Sequence, residues 1–261
     1  MKKHIIRFLI ILLIIITYVL IVGFLIEPYK FKTNEMKITK ANIDKWNGFK
    51  IVHLSDIHYL KTLNNDMLNK VIKEVNLINP DIVILSGDLL NKDISYTNDD
   101  LKFLEETLKT IKTKLGKYII KGDNDTIEEW NSLVTNSDFI DITNTYEYLF
   151  KDDNMPILIS NKMDEEYKID TCFKIFVIHK ADDIENMDYK YYDLILAGHS
   201  LGGINIPLIG RVNLPMGSKK YSYGVYELDN TTLIVSNGLG TNETKFRFMN
   251  TPSINFYRIV K

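Results

Sequence analysis

Five short apolar runs, each breaking off into Asp or His, constrain this chain more than any other feature. Ile51-Val52-His53-Leu54-Ser55 ends in Asp56-Ile57-His58. Asp81-Ile82-Val83-Ile84-Leu85-Ser86 ends in Gly87-Asp88, and Tyr118-Ile119-Ile120-Lys121 in Gly122-Asp123-Asn124-Asp125. Phe173 to Ile178 runs into His179, and Tyr192 to Ala197 into Gly198-His199. β-Branched runs of this length, bounded by Gly and polar residues, read as buried strands. In open α/β sheets the chemistry collects just past the carboxyl ends of strands. Asp56, His58, Asp88, Asp123, His179 and His199 are therefore expected at one place.

The segments between these runs supply the helices. Met67, Leu68, Val71, Ile72 and Val75 share one helical face over 64–79, which Pro80 ends. Leu101, Leu104, Leu108, Ile111 and Leu115 make a second face, stopped by Gly116. Thr126-Ile127-Glu128-Glu129 is a capping-box pattern before Trp130, Leu133 and Val134. From Tyr146 onward strands dominate. Asp229-Asn230 joins Tyr221–Leu228 to Thr231–Val235 as a hairpin, and Ser253–Val260 is a last strand. The expected fold is α/β, with two packed mixed sheets and helices outside.

Residues Ile5 to Ile26 hold one charge, Arg7, in 22 residues. As a helix they span roughly 30 Å, the thickness of a bilayer's hydrocarbon core. Lys2, Lys3 and Arg7 set the N-terminus inside the cell and the rest outside. No small-residue cleavage site follows at Glu27-Pro28-Tyr29-Lys30, so the reading is an uncleaved anchor in the cell membrane. Residues 1–26 are thus the anchor, and 27–45 a linker with an edge strand at Met36-Lys37-Ile38. Residues 46–261 are the domain. A net charge of −2 gives no basic balance for nucleic acid. The single Cys172, read inside a strand, excludes an internal disulfide and a Cys-rich zinc site. Any metal rests on carboxylates and imidazoles.

Taken singly, Asp56 is a cap, His58 a surface residue and Gly87-Asp88 a turn. In fixed order after five buried runs they read as ligands of one or two divalent ions such as Mn, Zn or Fe. His53 lies on the opposite strand face to Asp56 and reads as structural. His4 belongs to the membrane flank.

These residues resemble the calcineurin-like metallophosphoesterases, in a membrane-associated bacterial branch related to UDP-diacylglucosamine pyrophosphatases. The resemblance runs from about residue 48 to the end. It includes Gly198-His199-Ser200-Leu201-Gly202-Gly203, Ser236-Asn237-Gly238-Leu239-Gly240 and Phe246-Arg247-Phe248. It implies a four-layer α/β/β/α sandwich that hydrolyses phosphoesters by in-line attack of a metal-activated hydroxide. Asp56, His58 and Asp88 would hold one ion, and Asp88, Asp123, His179 and His199 the other. By location only, the anchor makes an envelope or lipid-linked phosphoester the expected substrate class. Four positions depart from the family pattern. Asp123 stands where an Asn ligand is usual, Asn124 where a His assists the leaving group, and Asn91 where that His has an acidic partner. Leu201 replaces the last His, so the first metal loses an imidazole. Asn124 is left to hydrogen-bond a phosphate oxygen.

Two other functions follow from particular residues. Gly198-His199-Ser200-Leu201-Gly202 matches the nucleophile elbow of serine esterases, with Ser200 as nucleophile. That reading needs a helix next and a later His. Pro207, Gly210 and Pro215 oppose the helix, and no His follows. The losses at Asn124 and Leu201 instead suggest a metal- or phosphate-binding protein of the same fold with weak or no turnover.

Overall fold

The computed structural model describes residues 1–40, 43–150, 155–163 and 172–261. Helix α1 (Lys2–Ile21) buries none of its residues and continues through a π turn at Val22–Ile26 and a 3-10 turn at Glu27–Tyr29. The span Lys2–Tyr29 is long and apolar enough to cross a membrane.

The first sheet contains β1 (Lys32–Thr39), β2 (Lys50–Leu54), β3 (Ile82–Leu85), β4 (Gly116–Ile119), β5 (Ile140–Asp141) and β14 (Ser253–Val260). Their order is β1-β14-β2-β3-β4-β5, parallel from β2 to β5, with β14 antiparallel to β2. The second sheet contains β6 (Tyr146–Leu149), β7 (Ile157–Ser160), β8 (Phe173–Lys180), β9 (Leu194–Gly198), β12 (Gly224–Leu228) and β13 (Thr231–Val235). Its order is β12-β13-β9-β8-β7-β6, with a parallel centre and antiparallel edges. A separate hairpin pairs β10 (Ile204–Ile206) with β11 (Gly210–Val212).

Alternation along the strands builds the layers. Ile51, Ile82 and Ile84 of the first sheet meet Ile159, Ile175, Val177, Leu194 and Leu196 of the second in one buried cluster. Each such side chain contributes about 1.5–3 kcal/mol by leaving water. Val52, Leu54, Val83 and Leu85 point the other way, under α2 (Asn65–Ile78), α3 (Asn98–Lys109) and α4 (Trp130–Asn136). The outer face of the second sheet packs Phe176, Ile195 and Leu233 against Ala181, Ile184 and Tyr221. Among the described residues that fourth layer consists of 3-10 turns, at Ala181–Asn186 and Tyr189–Tyr191. The expected architecture of two mixed sheets between outer layers is present.

Several expectations change in detail. The edge strand expected at Met36-Lys37-Ile38 is present and longer: β1 runs eight residues, in parallel register with β14 from Lys32↔Ser253 to Thr39↔Val260. That partner lies more than 200 residues away, and local pattern does not reveal the pairing. Helix α3 stops at Lys109, short of Leu115. There Asn76 of α2 donates to the Thr110 carbonyl and accepts from Lys112 N, drawing the chain off the helix axis. The capping box at 126–129 does not form, and α4 opens at Trp130 without a side-chain cap. The preceding loop is already held, because Asp125 accepts from Leu90 N and Gly122 N, and Asp88 accepts from Asn124 N. Cys172 precedes β8 instead of lying inside it.

Candidate metal centre

Strand direction brings the ligands together. The carboxyl ends of β2, β3, β4, β8, β9 and β13 converge, and the loops beyond them continue to pair. Asp56 N donates to Gly87 O, His58 N to Asp88 O and Gly240 N to Asp56 O. Asp56, His58, Asp88 and His199 all take positive φ, from 44 to 64°. The left-handed region is unfavourable for these side chains, and such strain collects at functional sites. Gly122 is required by contact, since a Cβ there would collide with the Asp88 carboxylate. His179 sits where the β8–β9 register shifts between Ile178 and Lys180. The bulge turns its ring out of the pleat toward the other ligands.

Two groups of three result, sharing Asp88. One is Asp56, His58 and Asp88; the other is Asp88, His179 and His199, with ligand atoms of each group within 4.8 Å of one another. His179 Nε2 is 3.3 Å from Asp88 Oδ2 and 3.2 Å from His199 Nδ1. The Ser86 carbonyl accepts from His179 Nδ1 at 2.8 Å, and the Met216 carbonyl from His199 Nε2 at 2.9 Å. Each carbonyl fixes which nitrogen donates, so in the neutral rings the opposite nitrogens, His179 Nε2 beside Asp88 and His199 Nδ1 beside His179 Nε2, are the ones that can ligate.

His58 is held differently. Asn91 Oδ1 accepts from Asp93 N, and Asn91 Nδ2 lies 3.3 Å from His58 Nδ1, to which the Leu90 carbonyl also offers an acceptor. His58 Nε2 is 3.6 Å from Asp88 Oδ2 and has no hydrogen-bond partner among the described residues. Burial lowers the His58 pKa to about 4, so this contact is not an ion pair at neutral pH.

The electrostatics of the cluster suit a cation. Burial raises Asp56 to about 6. Burial alone would raise Asp88 as well, but the hydrogen bond and charge of His179, aided by His58, hold its carboxyl below the usual range. Burial would lower His179, yet Asp88 and then Asp56 push it up to about 9. A protonated His179 supplies the positive charge that two buried carboxylates require. The orphaned His58 Nε2 and Asn124 Oδ1, both buried beside these carboxylates, fit a hard or borderline divalent ion.

The remaining expected residues divide. Asp123 is outside both groups. It is about half exposed, paired with Lys180 Nζ at 2.8 Å, and 3.8 Å from His199 Nδ1. Asn124 does not face open space, because its Nδ2 donates to Asp88 Oδ2 at 2.8 Å. His53 is fully buried between Tyr257 and Ser86, a structural role as expected. The Ser200 hydroxyl is buried, donates to the Ser236 carbonyl and accepts from Gly202 N. The β10–β11 hairpin follows it in place of a helix, so the elbow reading is overturned.

The strand-end rule does not reach the next shell. Arg247, 2% exposed, donates to the carbonyls of Gly240, Leu201 and Asn237. Glu27, also buried, accepts from Met249 N, Asn250 N and Thr251 Oγ1. Asn250 in turn donates to Leu201 O and Gly203 O. A chain of hydrogen bonds thus joins the end of the apolar helix to the loop after His199. A cavity of about 160 Å³ opens beside His199, with Leu201, Ile204, Leu214 and Phe246 in its wall.

The chain is similar to several known proteins. The chain is 28% identical over 252 residues to the uncharacterized metallophosphoesterase YkuE of Bacillus subtilis, covering 90% of this chain and 87% of that one. It is 26% identical over 260 residues to the transmembrane protein with metallophosphoesterase domain of Danio rerio, covering 88% of this chain and 58% of that one. Among solved structures, a Pseudomonas putida nuclease aligns at a TM-score of 0.41 and 16% identity, over 74% of this chain and 79% of that one. The family model for calcineurin-like phosphoesterases matches residues 49–203, the stretch that carries both groups of ligands. By that match the chain belongs to the calcineurin-like phosphoesterase family.

Proposed function

We propose that this chain is a membrane-anchored, divalent-metal-dependent hydrolase of an amphiphilic phosphoester, with its active site outside the cell. The observation that carries the proposal is the pair of ligand groups sharing one buried carboxylate, Asp88. Two ions bound there would polarise a phosphoryl oxygen and lower the pKa of a water. Asp56, His58 and Asp88 would hold the first. Asp88, His179 and His199 would hold the second, with Asp123 joining once Lys180 releases it. Lys180 Nζ then stands free at the rim to take a phosphoryl oxygen. Asn124 orients Asp88 through two hydrogen bonds and supplies no proton. By location the apolar helix supports a lipid or envelope group on the substrate; the cavity beside His199 is lined by Asn213, Thr241, Asn242 and Glu243 as well as by Leu201, Ile204, Leu214 and Phe246. The kinship with UDP-diacylglucosamine pyrophosphatases belongs to this reading.

One observation favours a second reading, a metal-binding protein with little turnover. The proton-donating positions are amides, and Asn124 is committed to Asp88. The full chain in detergent, assayed with aryl monoesters, aryl diesters and phospholipids over manganese, zinc, iron and magnesium, separates the two. Turnover in at least one metal supports the hydrolase. Stoichiometric metal binding with no turnover in any supports the binding protein.

A further inference from the structure

Outside the apolar helix, exposed apolar side chains gather near its end. Leu208 is fully exposed, Ile209 is 71% exposed and Met249 51%. Leu208 and Ile209 form the tip of the β10–β11 hairpin, between Ile206 and Gly210. Two physical preferences oppose a Leu at this tip. Water disfavours it, and its φ of 69° is a conformation that Gly or Asn adopts more easily. Neither folding nor solubility accounts for it.

The hairpin's base and the helix's end grip the same short segment, 246–251. From the hairpin side, Asn205 N donates to Phe248 O at 3.1 Å and Asn205 Nδ2 to Met249 O. From the helix side, Phe246 packs edge-on against Phe24 with ring centroids 4.8 Å apart. Arg247 N donates to Gly23 O, and Glu27 accepts from Met249 N and Asn250 N. Leu208 is three residues beyond Asn205, or about 10 Å of extended chain. The tip is therefore tethered within about 10 Å of the segment clasped to the helix. The interfacial layer of a bilayer is itself several Å deep on each side. Exposed Tyr29 and Lys30 at the helix end are residue types that settle at that level.

We infer that the Leu208–Ile209 hairpin tip, with Met249, is a second membrane contact that inserts into the same leaflet as the end of the anchor. The occupant is lipid, because the patch continues the apolar surface of the helix, where Phe24 and Leu25 remain exposed. Two contact points fix the domain's tilt, which a single helix leaves free to swing. The tilt would hold the cavity beside His199 at the membrane surface, since Ile204 of the hairpin is one of its walls. This inference rests on the membrane anchor of the proposed function and on no catalytic activity.

The test uses the full chain in nanodiscs of phosphatidylglycerol and phosphatidylcholine, with Cys172→Ser to remove the single native thiol. An environment-sensitive fluorophore is attached through Leu208→Cys, Leu13→Cys in the helix, or Leu77→Cys on the exposed face of α2. The expected result is a blue shift at 208 and loss of its emission when doxyl-labelled lipids are included, as at 13 and unlike 77. Quenching at 13 with a water-like signal at 208 overturns the inference and leaves the anchor standing. Water-like signals at both overturn the anchor and the inference together. A blue shift at 208 without doxyl quenching shows that protein, not lipid, covers the tip, and also overturns it.

Discussion

Glu27→Ala is the substitution that most directly tests whether the apolar helix is part of the domain. The carboxylate accepts from Met249 N at 2.7 Å, Asn250 N at 2.7 Å and Thr251 Oγ1 at 3.0 Å. Removing it leaves the Asn250 N–H buried without a partner, which costs about 1–3 kcal/mol, and hydrogen bonds to a charged group lie at the upper end. Water can reach the other two donors, which are only partly buried, so their loss is discounted to about 1 kcal/mol each. The sum is about 3–5 kcal/mol. At roughly 2–4 °C per kcal/mol for a domain of this size, the melt should fall by about 10 °C. Trp46 and Trp130 are both buried and report the melt by fluorescence from the full chain in nanodiscs. Asn250 also donates to the Leu201 and Gly203 carbonyls, so metal retention after mild chelation should fall too. Glu27→Gln keeps one acceptor oxygen and should lie between. A melt for Glu27→Ala within about 2 °C of the parent would refute the reasoning and reduce the clasp to a loose contact.

Four further outcomes are expected. Elemental analysis after mild chelation should show the ion at Asp88, His179 and His199 retained more tightly than the other, because that group offers two imidazoles and the first group one; equal retention contradicts this. Asn91→Asp would accept the His58 Nδ1 proton, and Leu201→His adds an imidazole beside Asp56, so each should raise first-site affinity about 10-fold or more by titration, and failure of a folded Leu201→His would show that 201 does not face the site. Asp88→Asn should weaken both sites together, and isothermal titration that finds only one affected would rule out a shared ligand. For pH, His179 is raised to about 9 from 6.5, so its charge stabilises the metal-free fold below about 6.5, and this contribution disappears as pH rises through about 9. Metal uptake needs the neutral ring, so binding near pH 7.5 should release about one proton, visible with a pH dye, and affinity should rise toward pH 9 and fall below about 6 as Asp56 protonates.

The apolar runs and their endings made the sheets, and the gathering of most candidate ligands, readable. A strand buried on both faces needs a continuous β-branched run, and a parallel strand presents its carboxyl end to the site, so Asp56, His58, Asp88, His179 and His199 followed from order alone. The apolar length of α1 was equally local. What the sequence did not carry was pairing across distance. Strand β1 finds its partner β14 at the far end of the chain, and Glu27 is buried only because 249–251 bring three donors to it. Asp123 sits where a ligand was expected, yet Lys180, from another strand, takes its carboxylate. The ring nitrogens of His179 and His199 that donate are set by Ser86 O and Met216 O, which no spacing rule names. Local sequence sets what each segment offers, through periodicity, branching and charge. Which partner each polar group receives is decided only when remote segments close on one another, because a buried hydrogen bond is chosen by geometry and not by residue type.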